Sequence, residues 1–181
     1  MDMTKAALLI IDMINDFNFE AGEALAGHTK NIIDPILTLK KTFNEKDMPV
    51  VYINDHYNLW QADFEKIMAY CRNEKSEGII NRIAPIKEQD YFLIKPKHSA
   101  FYGTALHTLL QQLKVDTLIL AGIAGNICVL FTANDAYMRE YNLIIPEDFI
   151  ASNNDEDNKY ALTMMKNVLS AVTKPSDQLD L

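Results

Sequence analysis

The chain has little of several things, and each shortage excludes something. Its 181 residues hold only two cysteines, Cys71 and Cys128, so no disulfide framework can be built and both thiols are expected to be free. No apolar run approaches the roughly 20 residues that span a bilayer. There is no basic run or stripe, and a net charge of −8 argues against sequence-independent binding to nucleic acid. The N-terminal Met-Asp-Met-Thr-Lys leads straight into strand-like sequence and lacks the layout of a signal peptide. Free thiols without a leader point to a reducing cytoplasm. Gly-x-Gly-x-x-Gly is missing after the first strand-like segment, which weakens a dinucleotide-binding reading. The four histidines, His28, His56, His98 and His107, have no metal-ligand spacing.

What is present is ordinary for a globular chain: 49% hydrophobic and 23% charged residues, enough for one domain over 1–181 with a substantial core. Short apolar runs alternate with segments of helical period. Ala6–Ile11, Val50–Ile53, Tyr91–Ile94, Thr117–Ala121 and Leu143–Ile145 read as strands, apolar on both faces. Thr29–Lys46, Leu59–Arg72, Tyr102–Lys114, Asn126–Glu140 and Asp155–Val172 read as helices. Asn126 and Thr104 are cap candidates. The Asn153–Asn158 cluster reads as a loop, and the tail after Lys174 is expected to fray. Such alternation predicts an α/β fold of three layers, a mostly parallel, Rossmann-like central sheet with helices on both faces.

In an open parallel sheet, ligands bind at the carboxyl ends of the strands. Those ends carry Asp12, the Asn54-Asp55-His56 triplet, Lys95, and the turn that leads to Cys128. A helix start and a nearby ammonium are expected to favour the Cys128 thiolate. Asp12 can take the thiol proton, the sulfur can add to a carbonyl, and the turn's N–H groups can hold the oxyanion. Singly, each residue has a plainer role: a small hydrophobe, a turn cap, a surface charge. All three on one rim favour a site. Cys71, on a helix with no positive surroundings, reads as inert.

Three blocks carry a resemblance. Leu8-Leu-Ile-Ile-Asp12-Met-Ile-Asn-Asp-Phe17, Lys95-Pro-Lys-His-Ser99-Ala-Phe101-Tyr-Gly-Thr104, and Gly122-Ile-Ala-Gly-Asn-Ile-Cys128-Val-Leu-Phe-Thr132-Ala-Asn-Asp135 resemble the isochorismatase-like cysteine hydrolases. That superfamily includes nicotinamidases, N-carbamoylsarcosine amidases and isochorismatases. The resemblance implies Asp12 as general base, Lys95 as the charge-stabilising member and Cys128 as nucleophile. Lys97 competes with Lys95, and the four-residue step to Ser99 selects Lys95. It also implies a cis peptide at Ile123–Ala124 and an oxyanion hole from the amides of Ala124 and Cys128.

Two departures stand out. Ile14 occupies a position where many relatives have Gln. Asp55 and His56 are adjacent, whereas nicotinamidases carry Asp-x-His with further histidines. The expectation is therefore no metal and no cofactor, in a metal-free branch with a Trp-x-x-Asp-Phe element at Trp60–Phe64. Phe17, Asp55, Trp60 and Phe101 are the substrate-contact candidates, although Trp60 could equally pack a helix start against the sheet.

The implied activity is hydrolysis of a C–N bond in a small amide or carbamoyl compound through a thioester. Vinyl-ether hydrolysis of the isochorismatase type and nicotinamidase activity are the alternatives within the family. From another class, Asp12 with Phe92-Leu-Ile-Lys95-Pro96 also resembles a receiver-type phosphoacceptor module, but Met13 stands where a second acid is needed. A degenerate member that binds without turnover is a further alternative. The expected partner is a small-molecule substrate, with no nucleic acid and no membrane, in a homodimer or homotetramer.

Overall fold

The computed structural model describes residues 5–179. Strand β1 (Ala6–Ile11) is wholly buried and lies between β2 (Val50–Asp55) and β4 (Thr117–Ile123). Beyond them lie β3 (Tyr91–Lys95) and β5 (Asn142–Ile144), giving the order β3-β2-β1-β4-β5. A short β6 (Ile150–Ala151) pairs with the carboxyl end of β4. Every pairing is parallel. That explains why β1 and β4 are continuously apolar, since helices cover both of their faces.

Helices α1 (Gly22–Glu45), α2 (Phe64–Cys71) and α3 (Glu77–Ile83) lie in the leftward connections β1→β2→β3. Helices α4 (Leu106–Gln112) and α5 (Leu130–Tyr137) lie in the rightward connections β3→β4→β5. Right-handed crossovers put these two sets on opposite faces of the sheet. The winding reverses at β1, and such a reversal opens a crevice at the strand's carboxyl end. Asp12 stands there. No helix among the described residues is long and apolar enough to cross a membrane.

Several element ends differ from the sequence reading, each for a local reason. Helix α1 starts at Gly22 rather than Thr29, because the buried series Leu25, Ala26, Thr29, Ile32, Ile33, Ile36 extends backward and outweighs a glycine cost of about 1 kcal/mol. Helix α2 starts at Phe64, capped by Asp63, which accepts the Lys66 N–H at 3.2 Å. The residues before it, Tyr57, Asn58 and Trp60, have left-handed backbone, which ends any helix at Leu59. The expected helix from Asn126 is a wide π-type turn over Gly125–Val129 followed by α5.

The last helix, α6 (Asp155–Val168), is capped by Asn154 and stops before left-handed Ser170. That frees Val172 to exchange hydrogen bonds with Leu143 and Ile145 at 2.9 and 2.8 Å. The tail after Lys174 is not frayed within the described residues: Ser176 is held through its N–H and Oγ by Asp148 at 2.9 and 2.5 Å.

Candidate active site at the carboxyl ends of the strands

Strand register assembles the site. Ile11 pairs with Ile53 on one side and Gly122 on the other, while Asp55 pairs with Lys95. One step past Ile11, Asp12 has left-handed backbone (φ 52°) and donates its N–H to the Ile53 carbonyl at 3.0 Å. Its carboxylate then turns toward the rim. Oδ1 accepts the Asp55 N–H at 2.8 Å, and Oδ2 meets Lys95 Nζ at 2.7 Å. Both residues are buried, Asp12 at 5% and Lys95 at 2% exposure. Lys95 Nζ also donates to the Lys97 carbonyl at 3.1 Å and lies 3.6 Å from Cys128 Sγ. Asp12, Lys95 and Cys128 therefore form one connected set, with the half-buried thiol toward solvent.

The nucleophile turn depends on two glycines. Gly122 has φ +121°, and a Cβ there would fall 2.0 Å from the Ile11 carbonyl oxygen, so no other residue fits. At Gly125 a Cβ would lie 2.3 Å from Asn158 Oδ1. The Ile123–Ala124 peptide between them is cis. The Ala124 carbonyl accepts the N–H groups of both Ile127 and Val129 at 3.0 and 3.2 Å, closing the turn that presents Cys128. Ser152 Oγ accepts the Asn126 N–H at 3.1 Å and donates to Asn158 Oδ1 at 2.8 Å. Asn126 is thus held through its main chain and does not cap a helix, whereas Thr104 Oγ1 does accept the Leu106 N–H at 3.2 Å.

The electrostatics of the thiol differ from the sequence expectation. Burial raises the Cys128 pKa first, and the charge of Asp12 together with its hydrogen bonding raises it further; Lys95 lowers it but does not prevail. Together these influences favour the protonated thiol over the thiolate. For Lys95, burial lowers the pKa, but Asp12, with Cys128 and Asp55 behind it, more than offsets this and the net shift is upward. The ammonium is firmly charged. Its charge is largely claimed by Asp12, which is why it fails to draw the thiol down.

The substrate-contact candidates are distributed unevenly. Asp55 lies beside the trio, accepting the Tyr57 N–H at 2.8 Å as well as donating to Asp12. Trp60 is 64% exposed and stacks on His56 with ring centroids 3.9 Å apart. Phe17 is fully buried in the core. Phe101, 5% exposed, packs under Arg139 and beside Tyr141. Neither phenylalanine presents a surface to a ligand here.

Cys71 is fully buried, and burial pushes its thiol up to about 12. The Asp55–His56 pair is a poor metal set. His56 Nδ1 accepts the Asn58 N–H at 2.9 Å, and no group of three or more His, Cys, Asp or Glu side chains is placed to share an ion among the described residues.

Sequence reading missed several supports. Thr132 Oγ1 donates to the Cys128 carbonyl at 2.7 Å and accepts the Ala100 N–H at 3.0 Å. Ser99 Oγ donates to Asp135 Oδ2 at 2.5 Å. Thr132, Ser99 and Asp135 all belong to the quoted blocks, and their polarity on otherwise apolar elements was the available signal. His98, set aside as scattered, has Nδ1 3.9 Å from Cys128 Sγ.

Residues 6–177 match the family model of the isochorismatase domain. The chain belongs to the isochorismatase family. It is a hydrolase of that family, with the family's α/β fold. It is 61% identical over 179 residues, covering 98% of each chain, to the uncharacterized isochorismatase family protein YaaI of Bacillus subtilis (strain 168). Among solved structures it resembles the N-carbamoylsarcosine amidase of Thermoplasma acidophilum, with 33% identity, a TM-score of 0.74 and coverage of 98% of this chain and 99% of that one. It also resembles the nicotinamidase PncA of Bacillus subtilis, with 29% identity, a TM-score of 0.73 and coverage of 94% and 99%.

Proposed function

We propose that this isochorismatase-family protein hydrolyses a C–N bond of a small amide or carbamoyl compound, with Asp12 as base, Lys95 as charge-stabilising partner and Cys128 as nucleophile. The observation that carries the reading is the contact sequence Asp12 Oδ2–Lys95 Nζ–Cys128 Sγ at 2.7 and 3.6 Å. The amidase activities named for the structural relatives above support it.

Because burial and Asp12 favour the protonated thiol, attack and proton transfer belong to one step. Asp12 takes the proton as the sulfur adds to the carbonyl. The amides of Ala124 and Cys128 receive the oxyanion, where one good donor contributes about 3–4 kcal/mol. Asp12 returns its proton to the departing nitrogen, leaving a thioester on Cys128 that water then cleaves. Lys95 pairs with the Asp12 carboxylate at 2.7 Å and offsets negative charge on the sulfur. In this reading Asp55, which donates its N–H to Asp12, and the exposed Trp60 are the substrate-contact residues. The protein is assigned a reducing compartment, the cytoplasm, where Cys128 stays free, and an assembly of two or four copies.

An ammonia-release screen over amides, ureas and carbamoyl compounds tests the reading, run beside Cys128→Ala. Release that disappears in the variant supports it. No Cys128-dependent release from any compound would move the activity to another bond class, vinyl-ether hydrolysis first.

A further inference from the structure

The trio supplies one base, and that base lies on the buried side of the sulfur. Both oxygens of Asp12 are engaged, by the Asp55 N–H and by Lys95, and the residue is 5% exposed. This suits the first half of the reaction, where the proton starts on the thiol. In the second half, the water that cleaves the thioester arrives from solvent. On that open side stands His98, an exposed residue whose Nδ1 is 3.9 Å from Cys128 Sγ.

His98 is not loosely placed. The residue before it is tied down by Lys95 Nζ on the Lys97 carbonyl at 3.1 Å. The residue after it is tied to α5 by Ser99 Oγ on Asp135 Oδ2 at 2.5 Å. Next along, the Ala100 N–H is held by Thr132 Oγ1 at 3.0 Å. The imidazole leans on Phe131, with ring centroids 5.5 Å apart. The loop is thus fastened on both sides of a side chain that faces the nucleophile. A carbonyl carbon bonded to that sulfur would lie within reach of a water resting on Nδ1, and imidazole is the side chain best suited to accept such a proton near neutral pH.

We propose that His98 is a second base, acting on the deacylating water. This rests on the thioester pathway proposed above. With its proton on Nε2, His98 receives a proton from water at Nδ1 while the water oxygen bonds to the thioester carbon. The tetrahedral intermediate then collapses: the carbon–sulfur bond breaks, its electron pair goes to Sγ, and the imidazolium returns the proton to the sulfur. The products are a carboxylic acid and the free thiol. Asp12 governs formation of the acyl-enzyme and His98 its breakdown.

The probe is p-nitrophenyl acetate, which acylates a thiol without requiring the natural substrate. In the unmodified protein, Cys128 attack releases p-nitrophenolate and leaves an acetyl thioester. His98→Gln is expected to retain the initial burst, about one equivalent per chain at the unmodified rate. Its steady rate should fall about 10²-fold, within the range for a lost general base, and acetylated protein should accumulate by intact mass. Added imidazole should speed deacylation of His98→Gly.

Burst and steady rate falling together would overturn the proposal and make His98 a positioning residue. Both unchanged would make it a bystander, and the failure of imidazole to speed deacylation would equally count against a base. A burst that survives in Cys128→Ala would instead sink the thioester pathway itself, so the two failures are distinguishable.

Discussion

The side chain of Asn54 clasps the backbone of Ile14, its Oδ1 accepting the Ile14 N–H at 3.2 Å and its Nδ2 donating to the Ile14 carbonyl at 2.8 Å. Asn54 is 1% exposed, so both bonds are sheltered from water. The clasp fixes the chain two residues past Asp12, where the backbone has just turned into left-handed space. Asn54→Leu should therefore cost about 1–3 kcal/mol, the penalty for stranding buried backbone groups. Urea unfolding would register it, and kcat should fall with it because Asp12 loses its mooring.

The buried Asp12–Lys95 pair predicts a separation of stability from activity. Asp12→Asn or Lys95→Met alone leaves one charge buried without its counter-charge, a loss of about 3–5 kcal/mol for such pairs. The double variant removes both charges and should recover most of that stability in a thermal melt. It should recover none of the activity. A double variant no more stable than either single would show that the pair is not coupled as its 2.7 Å contact requires.

The upward shift of Cys128 has a sign that can be checked by alkylation. Burial and Asp12 raise the thiol's pKa, so at neutral pH the thiolate fraction lies below that of a free cysteine. Iodoacetamide labelling should be slow at pH 7 and rise steadily into the alkaline range. Asp12→Asn removes a raising influence and should speed labelling while abolishing turnover. Lys95→Ala removes the lowering one and should slow it. Cys71, buried and shifted to about 12, should label only on unfolding.

Gly122 has no permissible substitute. Gly122→Ala drives a methyl group into the Ile11 carbonyl oxygen and forces a side chain into φ +121°. Strain of this kind costs about 1–3 kcal/mol before the clash is counted, so a loss of about 3 kcal/mol or more is expected. Circular dichroism melts of the soluble fraction would measure it. A melting temperature within a degree of the unmodified protein would contradict the geometry.

Most of the fold was legible because buried parallel strands are apolar on both faces and short. The five main strands can be placed by eye, and their ends mark the rim where Asp12, Lys95 and Cys128 meet. What stayed hidden shares one physical property: it is set by backbone conformation or by distant partners. The residues Tyr57, Asn58 and Trp60 break a helical pattern through φ alone. The strand Ile150–Ala151 is too short to announce itself. Phe17 and Phe101 looked like pocket walls because they flank the site in sequence, yet their packing partners, the core in one case and Arg139 with Tyr141 in the other, come from elsewhere in the fold. Nor could the sequence weigh burial and Asp12 against Lys95 at the thiol.

Thr132, with its hydroxyl shared between the Cys128 carbonyl and the Ala100 N–H, makes the Lys95 loop and the nucleophile helix a single mechanical part. Neither can be exchanged alone. A chimera that imports a relative's Lys-to-Phe loop to change selectivity would have to import the matching residues at 132 and 135 as well, because the loop's footing is on α5. For anyone redesigning this enzyme, the smallest transferable cassette is two segments separated by some thirty residues of chain, joined by the hydroxyls of Thr132 and Ser99.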